Sequence, residues 1–167
     1  MDDSDLSNEF RRCTPCNTCC QGWLKVEAKA AKAFLGSACQ YCSASRCDIY
    51  ESRPIDPCQN FVCAWLNPKS SLPDWMRPDR SHVIVMTDRL NWKNRPDITA
   101  TYTVSPAPTQ TRDWLYKYSD ISDMPLVTIE FLTEQGNPAS KKLLSTHGPM
   151  EFALEMIERF ENGEQLW

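Results

Sequence analysis

The sequence predicts an α+β protein in which a cysteine-rich N-terminal module precedes a small antiparallel sheet with a packed C-terminal helix. Two observations lead to this fold class. All nine cysteines lie between Cys13 and Cys63, and the rest of the 167-residue chain has none. The cysteine-free part instead alternates strand-like and helix-like segments, which is typical of a sheet packed against helices. We therefore expect residues 1–67 to form the cysteine module and residues 68–167 to form an α+β portion that packs on it.

Three segments after residue 80 have the alternation and β-branched composition of strands, namely 82–87, 98–104 and 126–133. A short helix is expected between the second and third strands, over 112–119. The turn residues of 135–138 predict a hairpin whose second strand is 141–145. The chain then ends in its clearest helix, which begins at Pro149 and stops at Gly163.

One helix is also expected inside the cysteine module. Residues 26–35 are rich in Ala and Lys, and Gly36 follows them as a plausible stop. Such a helix would return the chain so that Cys39 approaches Cys13. The segment 68–80, which is rich in Pro and charge, predicts a linker or wrapping loop between the two portions.

Composition and charge argue against several classes of function. The net charge is −4, with 18 basic against 22 acidic residues, which disfavours sequence-independent binding to nucleic acid. No apolar run approaches the roughly 18 residues of a membrane helix. Residues 1–10 lack the basic start and apolar run of a secretory signal. We therefore expect a cytoplasmic protein with no nucleic-acid or membrane partner, and the sequence indicates no particular protein partner.

The clustering of the cysteines favours metal ligation over two alternatives. A disulfide framework requires an oxidising compartment, and the odd number of thiols would leave one over. A set of buried or redox-sensing free thiols is the second alternative, but thiols so close together are an oxidation hazard. Closely spaced cysteine pairs in a reduced chain are typical of metal sites.

The spacing of the first cysteines supports this interpretation. They form the run Cys13-x2-Cys16-x2-Cys19-Cys20. Two-residue spacers allow tight turns to direct successive thiolates at one point, as in ferredoxin-type clusters. Cys19 and Cys20 diverge in an extended backbone, so we do not expect both to bind one mononuclear ion. Nine thiols permit two four-sulfur sites or one cluster with several structural thiols, and spacing does not choose between zinc and iron–sulfur.

Basic residues beside the cysteine runs could stabilise a negatively charged metal–thiolate centre by donating N–H groups to sulfur. The candidates are Arg11, Arg12, Arg46 and Arg53. Arg53 is the strongest of them, because it precedes Pro54 in a rigid segment between two cysteines. The alternative is that these arginines are solvated surface charges.

The cysteine pattern resembles the YkgJ-type cysteine-cluster family, whose members carry a domain described as zinc- or iron-chelating. The resemblance covers residues 10–66 and depends on three ordered strings, with Cys39 between the first and the second: Cys13-x2-Cys16-x2-Cys19-Cys20, Cys47-x-Ile49-Tyr50-x2-Arg53-Pro54 and Cys58-x2-Phe61-x-Cys63. It implies eight metal ligands, namely Cys13, Cys16, Cys19, Cys20, Cys39, Cys47, Cys58 and Cys63. Cys42 departs from the family pattern and is expected to be the ninth, non-ligand thiol.

The sequence therefore predicts a cytoplasmic metal-binding protein that holds zinc or an iron–sulfur cluster, with its role as carrier, sensor or structural site open. One alternative is an enzyme that uses the metal or cluster in catalysis and binds substrate in its C-terminal half, which requires an open coordination position or an adjoining pocket. Another is an interaction module with a structural zinc. No catalytic residue is indicated, and we expect His82 and His147 to be surface or packing residues.

Overall fold

The computed structural model describes residues 11–29, 31–33, 36–44, 46–134 and 137–166. Two small strands belong to the cysteine module, and four further strands and the α-helices follow it. The strands are β1 (Val26–Glu27), β2 (Lys32–Ala33), β3 (Val83–Thr87), β4 (Ile98–Tyr102), β5 (Leu126–Glu134) and β6 (Asn137–His147). The α-helices are α1 (Pro78–Ser81), α2 (Thr109–Ser122) and α3 (Met150–Glu161), and shorter helical turns occur at Thr18–Gln21, Tyr50–Ser52, Ile55–Gln59 and Asp74–Met76.

The last four strands form one sheet in the order β3-β4-β5-β6. The α+β class is thus confirmed, but the expectation of a purely antiparallel sheet is wrong. Strands β4 and β5 pair in parallel, whereas β3 with β4 and β5 with β6 pair antiparallel. The reason is that α2 lies between β4 and β5 in the chain, and a crossover of this length allows the next strand to run in the same direction.

Each face of the sheet is covered by a different helix. Paired residues lie on the same face, so Val83, Tyr102 and Glu130 share one face, and Ile84, Thr101 and Ile129 share the other. The first face packs with Leu115 of α2 in one apolar core. On the second face, Val127 packs with Phe152 and Met156 of α3 in another core. These two cores hold the C-terminal portion together through burial of apolar surface.

The helix expected over 26–35 is wrong. The described residues of this segment form the β1–β2 hairpin, in which Val26 lies opposite Ala33. The turn is closed by the Ala28 N–H, which donates to the Ala31 carbonyl at 2.8 Å. Ala31 and Ala33 are buried against Cys39, and a window this short has too little intrinsic helix stability to resist such packing. Residues 30, 34 and 35 lie outside the described residues.

Most other expectations for secondary structure are confirmed within a few residues. The three strands and the C-terminal helix occur where the pattern predicted them, and α2 extends the expected helix in both directions. The second hairpin strand is longer than expected, since β6 begins at Asn137. In the described part of the chain, no helix combines the length and the apolar character that crossing a bilayer requires.

The cysteine module contacts the C-terminal portion through both backbone and side chains. Arg11 donates to the carbonyl oxygens of Trp65 and Leu72 at 2.8 and 2.7 Å. The Ala64 N–H donates to the carbonyl of Val85 on β3 at 2.7 Å. Trp65 is itself part of the apolar core beneath α2. The chain on both sides of residue 67 is therefore packed on the sheet, and a domain boundary at that residue stays a prediction.

Candidate functional site

A cavity of about 880 Å³ has the cysteine module on one side and the second face of the sheet on the other. Its described wall includes the eight cysteines that the family resemblance implies as ligands: Cys13, Cys16, Cys19, Cys20, Cys39, Cys47, Cys58 and Cys63. Cys42 is absent from that wall. The fold thus brings together thiols from three separate runs of the sequence, while their role as ligands stays a prediction.

The first cysteine run is shaped by a buried asparagine. Asn17 is 6% exposed, and its side-chain amide donates to the Ser43 carbonyl at 2.6 Å and to the Cys42 sulfur at 3.3 Å. Its backbone carbonyl accepts the Cys20 N–H at 2.8 Å, which begins the turn that carries Cys19 and Cys20. Asn17 therefore connects the first cysteine run to the segment around Cys42.

The second run is fixed by backbone hydrogen bonds. The Cys39 N–H donates to the Cys20 carbonyl at 2.8 Å, and the Cys42 N–H donates to the Cys39 carbonyl at 2.9 Å. Cys42 and Cys47 then face each other in an isolated antiparallel bridge. Cys20 and Cys58 pack beside the buried Cys39. These contacts gather four of the cavity thiols without a regular element longer than a few residues.

Arg53 lines the cavity, and its predicted support of a sulfur centre stays a prediction. Its guanidinium donates to the backbone carbonyls of Tyr50 and Cys58 and lies 3.9 Å from the centre of the Tyr50 ring. These contacts hold the cation beside the thiols. Its positive charge favours the thiolate forms of the nearby Cys13 and Cys20.

The other three arginines have different surroundings. The guanidinium of Arg11 donates to the carbonyl oxygens of Trp65 and Leu72, so it joins the two portions of the chain. Arg46 lines the cavity but pairs with Asp48 at 3.6 Å, and Arg12 is exposed. Arg53 is thus the arginine whose position fits the predicted support of a sulfur centre best.

The two adjacent thiols of the first run behave oppositely. Cys19 and Cys20 share a hydrogen bond, which raises the pKa of Cys19 well above its usual value and lowers the pKa of Cys20 to about 7. Cys20 is therefore the thiol of this pair that ionises near neutral pH, because its thiolate accepts the bond and Arg53 lies nearby.

Several other cavity thiols resist ionisation. Burial raises the pKa of Cys63 to about 11, and burial also raises the pKa values of Cys13, Cys47 and Cys58. Negative charge on neighbouring thiolates acts in the same direction at each of these groups. A metal cation among them would reverse this effect, because it stabilises the thiolate form directly.

The chemistry of the donors fits a thiolate-bound metal, although the sulfurs are not already closed into a ligand set. All nine cysteines are free thiols, and soft thiolate ligands select zinc, copper(I) and iron–sulfur clusters. Within the described residues, no group of three or more Cys, His, Asp or Glu side chains is placed so that it could hold a metal ion. Binding would therefore require the thiols to move together.

Trp65 has a buried hydrogen-bond donor without a partner in the described residues. It lines the cavity and is 4% exposed, yet its indole N–H has no hydrogen-bond partner in the described part of the chain. A buried donor without a partner carries a substantial free-energy cost. Metal-bound thiolates and cluster sulfides are acceptors for such donors. The sequence gives no sign that this donor is unpaired.

The two histidines lie away from the cavity wall. His147 contacts Asp120 at 2.7 Å and stacks on Tyr116 with ring centres 4.9 Å apart. His82 follows α1 in a left-handed conformation with φ of 58°. Neither lines the cavity in the described structure.

Comparison with known proteins adds no identification: no protein-family model matches the chain, and no curated protein or solved structure shows significant similarity to it. The resemblance to the YkgJ-type family therefore stays a prediction, supported by the three cysteine strings.

Proposed function

We propose that this protein binds a soft metal, as zinc or as an iron–sulfur cluster, through thiolates of the cavity cysteines. The observation that carries the proposal is that eight of the nine cysteines, from three separate runs, line one cavity. Their thiols are unpaired, and a reduced state of this kind fits the cytoplasm.

Each part of the wall has a distinct task in this proposal. The cavity cysteines supply the ligands, four thiolates to each zinc ion or cluster, and Cys20 offers the first thiolate because its pKa is lowered to about 7. Arg53 offsets the negative charge of the sulfurs, and Trp65 donates its free N–H toward them. When bound, the metal supplies the positive charge that keeps the remaining thiols ionised.

The test uses two cysteines that face each other across one backbone bridge. Cys47 lines the cavity and Cys42 does not, although they are bridge partners. We expect Cys47→Ser to lose metal from anaerobically purified protein, because serine is a poor ligand for soft metals. Cys42→Ser should retain the wild-type amount. The measurement is zinc, iron and sulfide per chain, and equal metal in both variants would contradict the proposed ligand set.

A second candidate function is an enzyme that uses the bound metal or cluster. The observation that favours it is the extent of the cavity, whose wall continues from the thiols to the sheet residues Ile84, Ile129 and Phe131. A substrate in that space would be next to the sulfur centre. Turnover that requires both the cysteine wall and the sheet wall would support the enzyme function. Metal binding without any turnover would support metal binding alone.

A further inference from the structure

The sheet side of the cavity is an apolar wall that does not belong to the packed cores. Ile84, Met86, Ile129 and Phe131 all line the cavity, and each is at most 8% exposed. None of these four belongs to the three apolar clusters found in the described residues. Helix α3 covers this face at Val127, so the part nearer Phe131 is left to the cavity. A concave apolar surface of this kind is typical of small-molecule sites.

The size of the cavity exceeds what the sulfur centre needs. Four thiolates bind zinc at about 2.3 Å, so the sulfurs themselves enclose the ion and leave no free space between them. Ligand pockets for small organic molecules have volumes of about 300–1,000 Å³. The cavity, at about 880 Å³, lies within that range. Before the thiols move together on a metal, the cavity therefore has room for an organic ligand beside the apolar wall.

The charged side chains of the wall indicate that the ligand is an anion. The chain carries a net charge of −4, but the described wall carries basic side chains at Lys25, Arg46, Arg53, Arg89 and Lys142. Its one described acidic residue, Glu164, accepts a hydrogen bond from Arg159. Two of these cations already have partners, since Lys25 pairs with Glu27 at 3.1 Å and Arg46 pairs with Asp48 at 3.6 Å, and Arg53 lies beside the thiols. Arg89 and Lys142 remain as the basic side chains that would attract an anion.

Lys142 is the basic residue that belongs to the apolar wall itself. It lies on β6 directly opposite Phe131 of β5, and its ammonium is 5.7 Å from the centre of the Phe131 ring. Trp23 of the cysteine module packs on the same ring, with centroids 6.1 Å apart. No carboxylate pairs with Lys142 in the described structure. Arg89 instead lies over Phe61, between Cys58 and Cys63, and so faces the sulfur side.

We propose that the cavity binds a small organic anion, with its apolar body against Ile84, Ile129 and Phe131 and its acidic group at Lys142. The ligand class is a carboxylate, sulfonate or phosphate ester with an aromatic or aliphatic body. The site extends the proposed function to a second ligand beside the sulfur centre. It depends on the sheet wall, so it is testable separately from metal binding.

The test compares an anionic probe with its neutral analogue on the full chain. The anionic probe is 1-anilinonaphthalene-8-sulfonate, and the neutral one is N-phenyl-1-naphthylamine, which has the same ring system without the sulfonate. We expect one saturable site for the sulfonate dye. Lys142→Met should lower the affinity for the sulfonate dye about tenfold or more, because a contact between charged groups is lost. Lys142→Arg should restore that affinity. Affinity for the neutral dye should change less than about twofold.

The matched control is the neighbouring lysine. Lys141 pairs with Leu132 and lies on the opposite face of β6, outside the described cavity wall. Lys141→Met should bind the sulfonate dye like the wild type, and both lysines are exposed, so neither change should prevent folding. Equal weakening in the two variants, equal weakening of both dyes, or binding of several dye molecules without saturation would overturn the proposal.

Metal analysis of the same samples separates this proposal from the proposed function. Metal-free protein that still binds the sulfonate dye through Lys142 would support the organic site and contradict the proposed metal site. Metal-containing protein whose dye binding does not depend on Lys142 would support the metal site and overturn the organic one.

Discussion

The cysteine module and the sheet portion are stabilised in different ways. The sheet portion has two apolar cores, in which residues such as Leu115 and Phe152 are fully buried. In the described structure, the separate apolar cluster of the cysteine module has only three small buried residues, Ala31, Ala33 and Cys39, and its other members are partly exposed. The module is held instead by hydrogen bonds of short turns. Burial of apolar surface therefore stabilises the sheet portion, whereas the core of the module is too small to stabilise it by burial alone.

A bound metal would stabilise the module in place of a large core, because its binding free energy becomes folding free energy for the segment that ligates it. The central claim is therefore that the module depends on metal and the sheet does not. Three predictions sharpen or break this comparison.

The largest expected effect follows from metal removal. Structural zinc contributes about 10–16 kcal/mol in small zinc-dependent peptides, which is more than most single substitutions change. We expect chelation of the metal-loaded protein to abolish amide protection across residues 13–63 and to leave β3, β4 and β5 protected. Hydrogen exchange followed by mass spectrometry measures both regions in one sample. Loss of protection in both regions together would contradict the separation, as would loss in neither.

The second prediction concerns a substitution that destabilises the sheet portion and leaves the cysteine module intact. Phe152 of α3 is fully buried, so Phe152→Ala should lower the free energy of unfolding by about 3–5 kcal/mol. Leu154 on the same helix is 61% exposed, and Leu154→Ala should change the free energy of unfolding by less than about 0.5 kcal/mol. Urea unfolding of both variants provides the measurement. Metal content per folded chain should be unchanged, and a loss of metal in Phe152→Ala would show that the two regions are coupled.

The smallest of the three effects concerns thiol reactivity inside the module. In metal-free protein the pKa of Cys20 is about 7, because its thiolate accepts the Cys19 hydrogen bond, whereas burial raises that of Cys42 to about 11. Cys20 is thus mainly thiolate above pH 7 and protonated below it. At neutral pH we expect iodoacetamide to modify Cys20 about a hundredfold faster than Cys42, after allowance for the lower nucleophilicity of a weaker base. Peptide mass spectrometry over pH 6 to 9 gives both rates, and a Cys20 rate without an inflection near pH 7 would contradict this assignment.

Much of the sheet portion could be predicted because its strands and helices carry clear periodic patterns. Alternation in 126–133 places Val127, Ile129 and Phe131 on one face, and the structure agrees. The parallel pairing of β4 with β5 could not be predicted from alternation, because strand direction depends on where α2 returns the chain. The hairpin at β1 and β2 was missed because helix propensity is a weak preference that burial of two alanines overrides.

The candidate site was predictable in part. The clustering of the cysteines and the family resemblance predicted that thiols from separate runs would converge on a metal. Eight of them line one cavity, whereas in the described residues no three are placed to hold a metal ion, so their convergence on a metal stays a prediction. The role of Asn17 had no signal in the sequence, because its partners Cys42 and Ser43 lie 25 and 26 residues away. The roles of Trp65 and Lys142 had none, because each depends on which face of the sheet the module covers. That choice depends on tertiary contacts such as the packing of Trp23 on Phe131.

The central claim is tested most directly by elemental analysis and an absorption spectrum of the protein purified without oxygen. The account predicts stoichiometric zinc in a colourless protein, or iron with sulfide in a coloured one, bound so that the cavity thiols are protected from alkylation. A stably folded protein with protected amides throughout residues 13–63, no metal and all nine thiols open to reagent would contradict it.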